Sequence, residues 1–223
     1  ERDEAAANND RSSEYKTKAT KKKAVRSGRV ENFSSVSTKS ADRGRRRVVR
    51  VEPDLVQVEK ADLPTFVWPQ LATLVDAVPR GKEWLHEIKF DGYRILARLE
   101  NGRARLMSRN DKDWTERLPE VAEAVARLPA RRALIDGEVV VLQPDGTSSF
   151  QALQNLMQGE RRGELAYIVF DLLHLDGRDL TALPLEDRKA ALGELVGEKA
   201  SGTVRYSAHV VGGGAEFLRQ ACR

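Results

Sequence analysis

The chain is poor in the residues that build cysteine and histidine chemistry. A single cysteine, Cys222, in 223 residues leaves no intramolecular disulfide and no cysteine-based zinc or iron–sulfur cluster to form. The three histidines, His86, His174 and His209, lack the spacing of metal ligands. No uninterrupted apolar run approaches the roughly 18 residues of a spanning helix, and the N-terminus has no apolar signal core. The expectation is an intracellular, soluble chain. Two phosphate-binding signatures are also missing. Arg80-Gly81-Lys82 does not complete a Gly-x4-Gly-Lys-Ser/Thr loop, and Gly212-Gly213-Gly214 lacks the strand–turn–helix context of a dinucleotide fold. A nucleotide site here has to be of another kind.

Residues 1–50 lack Leu, Ile and Pro altogether and hold two aromatics, Tyr15 and Phe33. They cannot bury enough apolar surface to offset the entropy of ordering, so the sequence predicts a disordered linker over 1–59. The same fifty residues hold 15 Lys+Arg against 7 Asp+Glu, although the whole chain carries only +4. A basic tail therefore precedes a mildly acidic body. Such a split points to nucleic acid, here as a tether with weak, salt-sensitive phosphate affinity. Residues 60–223 are predicted to fold as one domain around a good-sized core.

Within that body, strands are expected over Trp84–Phe90, Tyr93–Glu100 and Arg103–Ser108, joined by turns at Asp91-Gly92 and Asn101-Gly102 into an antiparallel meander. Further strands are predicted at Ala133–Leu142, Leu165–Leu175 and Val204–Val210. Helices are predicted at Glu116–Leu128, Phe150–Met157, Leu185–Leu195 and Ala215–Cys222. The class is α+β with antiparallel sheets.

Four segments carry chemistry. In Glu87-Ile-Lys-Phe-Asp-Gly-Tyr-Arg94, alternation sets Glu87 and Lys89 on one side of a strand, next to a glycine that permits close approach. A lysine can attack only when neutral, which calls for desolvation or neighbouring cations such as Arg94, while Asp91 pulls the other way unless a metal engages it. Alone, Lys89 reads as an ordinary solvated lysine. Ala133-Leu-Ile-Asp-Gly-Glu-Val-Val-Val-Leu142 puts Asp136 and Glu138 on a common face. Two carboxylates in an apolar run need a cation, a metal or a ligand hydroxyl, or else a bulge that turns them to solvent. In Leu165–Leu175, Phe170 shares a face with Ile168 and Leu172, as plain core or as a platform for a base. Ser108 and Arg109 end a strand and could contact phosphate or sugar, or simply be exposed.

Taken in order, these segments resemble the nucleotidyltransferase family, specifically ATP-dependent DNA ligases. Lys89-Phe-Asp-Gly-Tyr-Arg94 resembles the adenylation motif. Ser108-Arg109-Asn110, Asp136-Gly137-Glu138 and Tyr167-Ile-Val-Phe-Asp171 are similar to the motifs that follow it. Pro69–Leu74, Asp113-Trp-Thr115 and Tyr206-Ser-Ala-His209 resemble the bacterial DNA ligase D subfamily, and Glu1–Glu4 the end of a preceding phosphoesterase domain. The resemblance implies an antiparallel-sheet nucleotidyltransferase domain of the ATP-grasp-like DNA ligase kind. It further implies Lys89 as the nucleophile on ATP, with Glu87 and Ile88 bordering adenine and Phe170 stacked on it. Arg94, Arg109 and Glu138 would hold ribose and phosphate, and Glu138 with Asp91 would lie near Mg²⁺ or Mn²⁺. AMP would pass to the 5′-phosphate of nicked or broken double-stranded DNA in non-homologous end joining, in a bacterial, nucleoid-associated setting. Ku and fused polymerase or phosphoesterase domains would be partners. Family members continue into a metal-binding Glu motif, a paired-lysine motif and an oligonucleotide-binding barrel, so residues 1–223 are expected to hold the adenylation residues without a complete ligase. An RNA ligase or capping enzyme uses the same lysine chemistry, and a non-catalytic DNA-binding module on a ligase fold is the alternative from another class.

Overall fold

The structure is a computed structural model that describes Leu55 and residues 58–159, 163–197 and 202–222. The expected linker lies almost wholly outside the described residues. At its C-terminal end, however, Leu55 and Val58 already pack against the main core.

Eight strands and four helices are described: β1 (Leu85–Glu87), β2 (Tyr93–Glu100), β3 (Arg103–Ser108), α1 (Pro119–Ala126), β4 (Arg132–Leu142), α2 (Phe150–Met157), β5 (Glu164–Leu175), β6 (Arg178–Asp179), α3 (Leu185–Val196), β7 (Val204–Tyr206), β8 (His209–Val211) and α4 (Gly214–Ala221). Local chemistry accounts for several boundaries. Asn101 and Gly102 both adopt positive φ, as a two-residue hairpin requires, and pin β2 to β3. Pro119 sets the first turn of α1, so that helix starts later than its apolar pattern suggested. Ser149 caps α2 by accepting from the Ala152 N–H.

The main sheet runs β3-β2-β4-β5, with β6 and β7 both on the outer side of β5. Its ladders are antiparallel except for β7, which lies parallel to β5. Two expectations change here. The strand expected over 84–90 is only three residues long and does not join the meander; it pairs with β8 in a separate two-stranded sheet. The strand expected over 204–210 breaks at Ser207-Ala208, giving β7 to the large sheet and β8 to the small one. At the break the Ser207 N–H still donates to Val169 O, closing the β5–β7 ladder, while its hydroxyl donates to Glu87.

All the core-forming helices lie on one face of the large sheet. Val121 and Val125 of α1, Leu153 of α2 and Ala191, Leu192 and Leu195 of α3 pack there on Ile95, Ala97 and Leu99 of β2, Ile135, Val139 and Val141 of β4, and Tyr167, Val169 and Leu172 of β5. The Tyr167 ring crosses this core over Gly137, where a Cβ would come within 2.6 Å of it. Its hydroxyl reaches Ile95 O and Ile135 O, each at 2.9 Å. Among the described residues the other face bears no helix of that core. It carries two small apolar clusters, Leu63, Leu96, Met107 and Leu134 and Val140, Ala166 and Ile168 with Phe90 against them. Arg94 of β2 and Asp136 and Glu138 of β4 lie between the two.

Candidate active site

On that second face β2 presents Arg94 and β4 presents Asp136 and Glu138, which share a face as alternation predicted. Both acids find a partner within the protein, and neither is turned out by a bulge. Arg94 Nε and Nη2 grip the two Asp136 oxygens at 2.9 and 2.7 Å, a paired, planar geometry. Asp136 is 3% exposed, and burial pushes its pKa up while Arg94 pulls it back. For Arg94, burial works downward, but the hydrogen bond and charge of Asp136, helped by Glu138 and Asp171, raise its pKa overall. Glu138 Oε1 accepts the Gly92 N–H at 3.0 Å. Burial raises its pKa too, opposed by that hydrogen bond and by the charges of Lys89 and Arg94.

Phe170 completes the group through an irregularity in β5. Asp136 pairs with Asp171 but Gly137 pairs with Val169, so Phe170 is the extra residue of a β-bulge. The core parity of Tyr167 and Val169 therefore resumes at Leu172, and Phe170 does not share Leu172's face as simple alternation had it. Its half-buried ring lies beneath the Arg94 guanidinium, 4.9 Å from Cζ to centroid.

Lys89 is exposed, in an irregular segment between β1 and β2 and not on a strand. Two contacts fix the segment beside it: the Asp91 N–H donates to Ser148 Oγ at 3.0 Å, and the Gly92 N–H to Glu138. Gly92 is obligatory, since a Cβ would meet Val139 O at 2.1 Å. The Lys89 ammonium donates to the Phe90 carbonyl, at 3.4 Å. Asp91 is exposed, and its charge acts on Glu138.

The remaining expected site residues lie apart. Ile88 is exposed. Arg109 is exposed just past β3, and among the described residues no hydrogen bond or ion pair joins it to the group. The Glu87 carboxylate is taken from behind, Oε2 accepting from Lys189 Nζ at 2.9 Å and from Ser207 Oγ at 2.8 Å. Sequence reasoning missed Lys189, Ser207, Ser148 and the Arg188–Asp171 pair (2.7 and 2.9 Å). For Lys189 a signal existed: it interrupts the apolar stripe Leu185, Leu192, Val196 of α3 at helical spacing.

The donor set bears on a metal. Among the described residues no three His, Cys, Asp or Glu side chains converge. Glu138 and Asp91 are two nearby carboxylates, which suits Mg²⁺ or Mn²⁺ only in the mode where phosphate oxygens supply further ligands.

This geometry sets the lysine segment against Glu138, next to an arginine stacked on an aromatic ring, in the motif order read from the sequence. The family model described as an ATP dependent DNA ligase domain matches residues 69–222. The chain belongs to that family. The multifunctional non-homologous end joining protein LigD of Pseudomonas aeruginosa is 42% identical over 164 residues, 74% of this chain and 19% of that protein. A probable DNA ligase of Streptomyces coelicolor is 37% identical over 142 residues, 59% of this chain and 28% of that protein. The chain thus spans less than a third of the curated relatives it matches. The fold is similar to the ligase domain of M. tuberculosis LigD, with a TM-score of 0.54 at 31% identity, covering 64% of this chain and 45% of that one. It is likewise similar to a mycobacterial DNA ligase D complexed with ATP and MES, with a TM-score of 0.51 at 30% identity, covering 62% and 44%. No helix among the described residues of this ligase-family chain is long and apolar enough to cross a membrane.

Proposed function

We propose that this chain performs the adenylation step of an ATP-dependent DNA ligase, with Lys89 as the nucleophile. The observation that carries the reading is the convergence, on the sheet face opposite the helices, of the Lys89 segment with Glu138, Arg94 and Phe170. The Lys89 amine, having lost its proton to solvent, attacks the α-phosphorus of ATP. An Nζ–P bond forms, the P–O bond to the β-phosphate breaks, and pyrophosphate leaves with its electron pair. A second displacement carries AMP from Lys89 to a DNA 5′-phosphate, so that one hard joining reaction is divided into easier ones.

The neighbouring residues bind and orient. The Phe170 ring is held flat by Arg94 and offers an apolar platform to adenine, with Ile88 and the edge of Glu87 bordering it. Arg94, fixed by Asp136, and Arg109 supply positive charge to ribose and phosphate. Glu138 braces the Lys89 segment through Gly92 and keeps its second oxygen for a ribose hydroxyl or a cation. Mg²⁺ or Mn²⁺ held by Glu138 and Asp91 would neutralise phosphate charge. The substrate proposed is nicked or broken double-stranded DNA, in end joining as in the LigD relatives, with Ku and fused polymerase or phosphoesterase domains as partners.

Incubation of the full chain with α-labelled ATP and Mg²⁺ tests the reading. Label should reach the wild type and Lys82→Ala, an exposed control, and be absent from Lys89→Ala. A wild type that takes up no label, or a Lys89→Ala variant that labels normally, overturns it.

A further inference from the structure

Lys189 is the one lysine among the described residues that is fully buried: its side chain is 0% exposed. Removing an ammonium from water is costly unless every donor is used. Here the three donors go to three different segments. Nζ donates to Glu87 Oε2 on β1 at 2.9 Å, to Phe170 O at the β5 bulge at 3.2 Å and to Ser207 O between β7 and β8 at 3.2 Å. The Tyr206 ring lies under it, 5.0 Å from Nζ to centroid. A leucine or methionine at this position would continue the apolar stripe of α3, so core packing alone does not call for a lysine.

The pattern of its contacts supplies a reason. Two of the three acceptors belong to residues on the base side of the nucleotide site proposed above, Glu87 and Phe170. The Phe170 carbonyl, at the bulge, accepts from the ammonium. Lys189 and the Ser207 hydroxyl both bind Glu87 Oε2, which fixes that carboxylate from behind and leaves Oε1 without a hydrogen bond among the described residues. The phosphate side is braced independently, through Ser148 and the Glu138–Gly92 contact.

We propose that Lys189 is a positioning residue for the adenine end of the nucleotide, holding Glu87 and the Phe170 bulge in fixed relation while leaving the reacting end untouched. The inference rests on the adenylation reading. It separates binding from chemistry: disturbing Lys189 should raise the ATP concentration needed to label Lys89 without slowing the labelled step at saturation.

The test is single-turnover labelling of Lys89 in the full chain across a range of α-labelled ATP, for wild type, Lys189→Met and Ser207→Ala, with folding followed by circular dichroism. Lys189→Met should raise half-saturating ATP by about tenfold or more, with the maximal rate within about threefold of wild type. Ser207→Ala, which removes only the second donor to Glu87, should shift half-saturation in the same direction by a few-fold. Should Lys189→Met fail to fold, Ser207→Ala decides alone. Unchanged half-saturation in every folded variant overturns the inference, as does a fall in maximal rate with half-saturation unmoved. A wild type that does not label overturns the adenylation reading and this inference with it, whereas a wild type that labels beside variants identical to it overturns only the role of Lys189.

Discussion

The two faces of the large sheet are built from the same strands by alternate residues, yet they solve different problems. On the helix-covered face, Ile95, Ile135, Val139, Tyr167 and Leu172 meet α1, α2 and α3 in one continuous apolar core. That face carries stability, and its few polar atoms, such as the Tyr167 hydroxyl, find backbone acceptors. On the opposite face the apolar residues fall into two small clusters, and the gap between them is filled by Arg94, Asp136, Glu138 and Phe170. Charge is tolerated there because each group is met by a specific partner. The lesson is that the sheet separates folding from chemistry by side-chain parity, and the β5 bulge at Phe170 is one of two places where the β4–β5 register shifts.

Variants that strike one face and not the other break or sharpen this division. Tyr167→Ala should have the largest effect on stability. It removes a fully buried ring and should destabilise the chain by about 3–5 kcal/mol in urea unfolding, while the molecules that remain folded keep their affinity for ATP. Arg94→Met should come next. It leaves Asp136 buried without its cation, costing about 2–4 kcal/mol near pH 7, and it should also weaken labelling of Lys89. The double variant Arg94→Met/Asp136→Leu should recover the stability and not the labelling; recovery of both would collapse the distinction between the faces.

Smaller effects follow from protonation. Burial raises the Asp136 and Glu138 pKa values, so their contribution to stability is full below the unfolded carboxylate values of 3.8 and 4.5 and declines as pH rises through the raised folded values. Glu138→Gln, which keeps an acceptor for Gly92 but does not titrate, should therefore gain stability relative to wild type as pH rises across that range. Thermal melts at a series of pH values read this directly, and a gap that narrows with pH contradicts the assignment. The smallest effect belongs to Asp113, away from both faces. Hydrogen bonds from Thr115, with Arg105, lower its pKa to about 2. Its contribution is present above 3.8 and is lost as pH falls toward about 2. As it is half exposed, Asp113→Asn should cost below about 1 kcal/mol near pH 7, with the difference vanishing in acid.

Much of this was legible in the residue order. Asn101-Gly102 fixed a hairpin, alternation over Ala133–Leu142 put Asp136 and Glu138 on one face, and the helical stripe over Phe150–Met157 matched α2 residue for residue. These are local patterns, set by φ, by strand period 2 or by the helical period, and they need no knowledge of distant partners. Four ordered motifs named the family, because a lysine, an arginine, two acids and an aromatic in that sequence are jointly far rarer than any one alone. What the order of residues left open depended on contacts across long separations. It did not reveal that β1 leaves the meander for β8, 120 residues and more downstream, or that Ser207 splits one apolar run between two sheets. The bulge that turns Phe170 toward Arg94 and the choice of Lys189 as Glu87's partner were likewise decided only in the fold. A residue's type states what it can bind, but the partner it finds is settled when packing closes distant segments on one another, since only then does an unsatisfied carbonyl or buried carboxylate require a particular cation at a particular place.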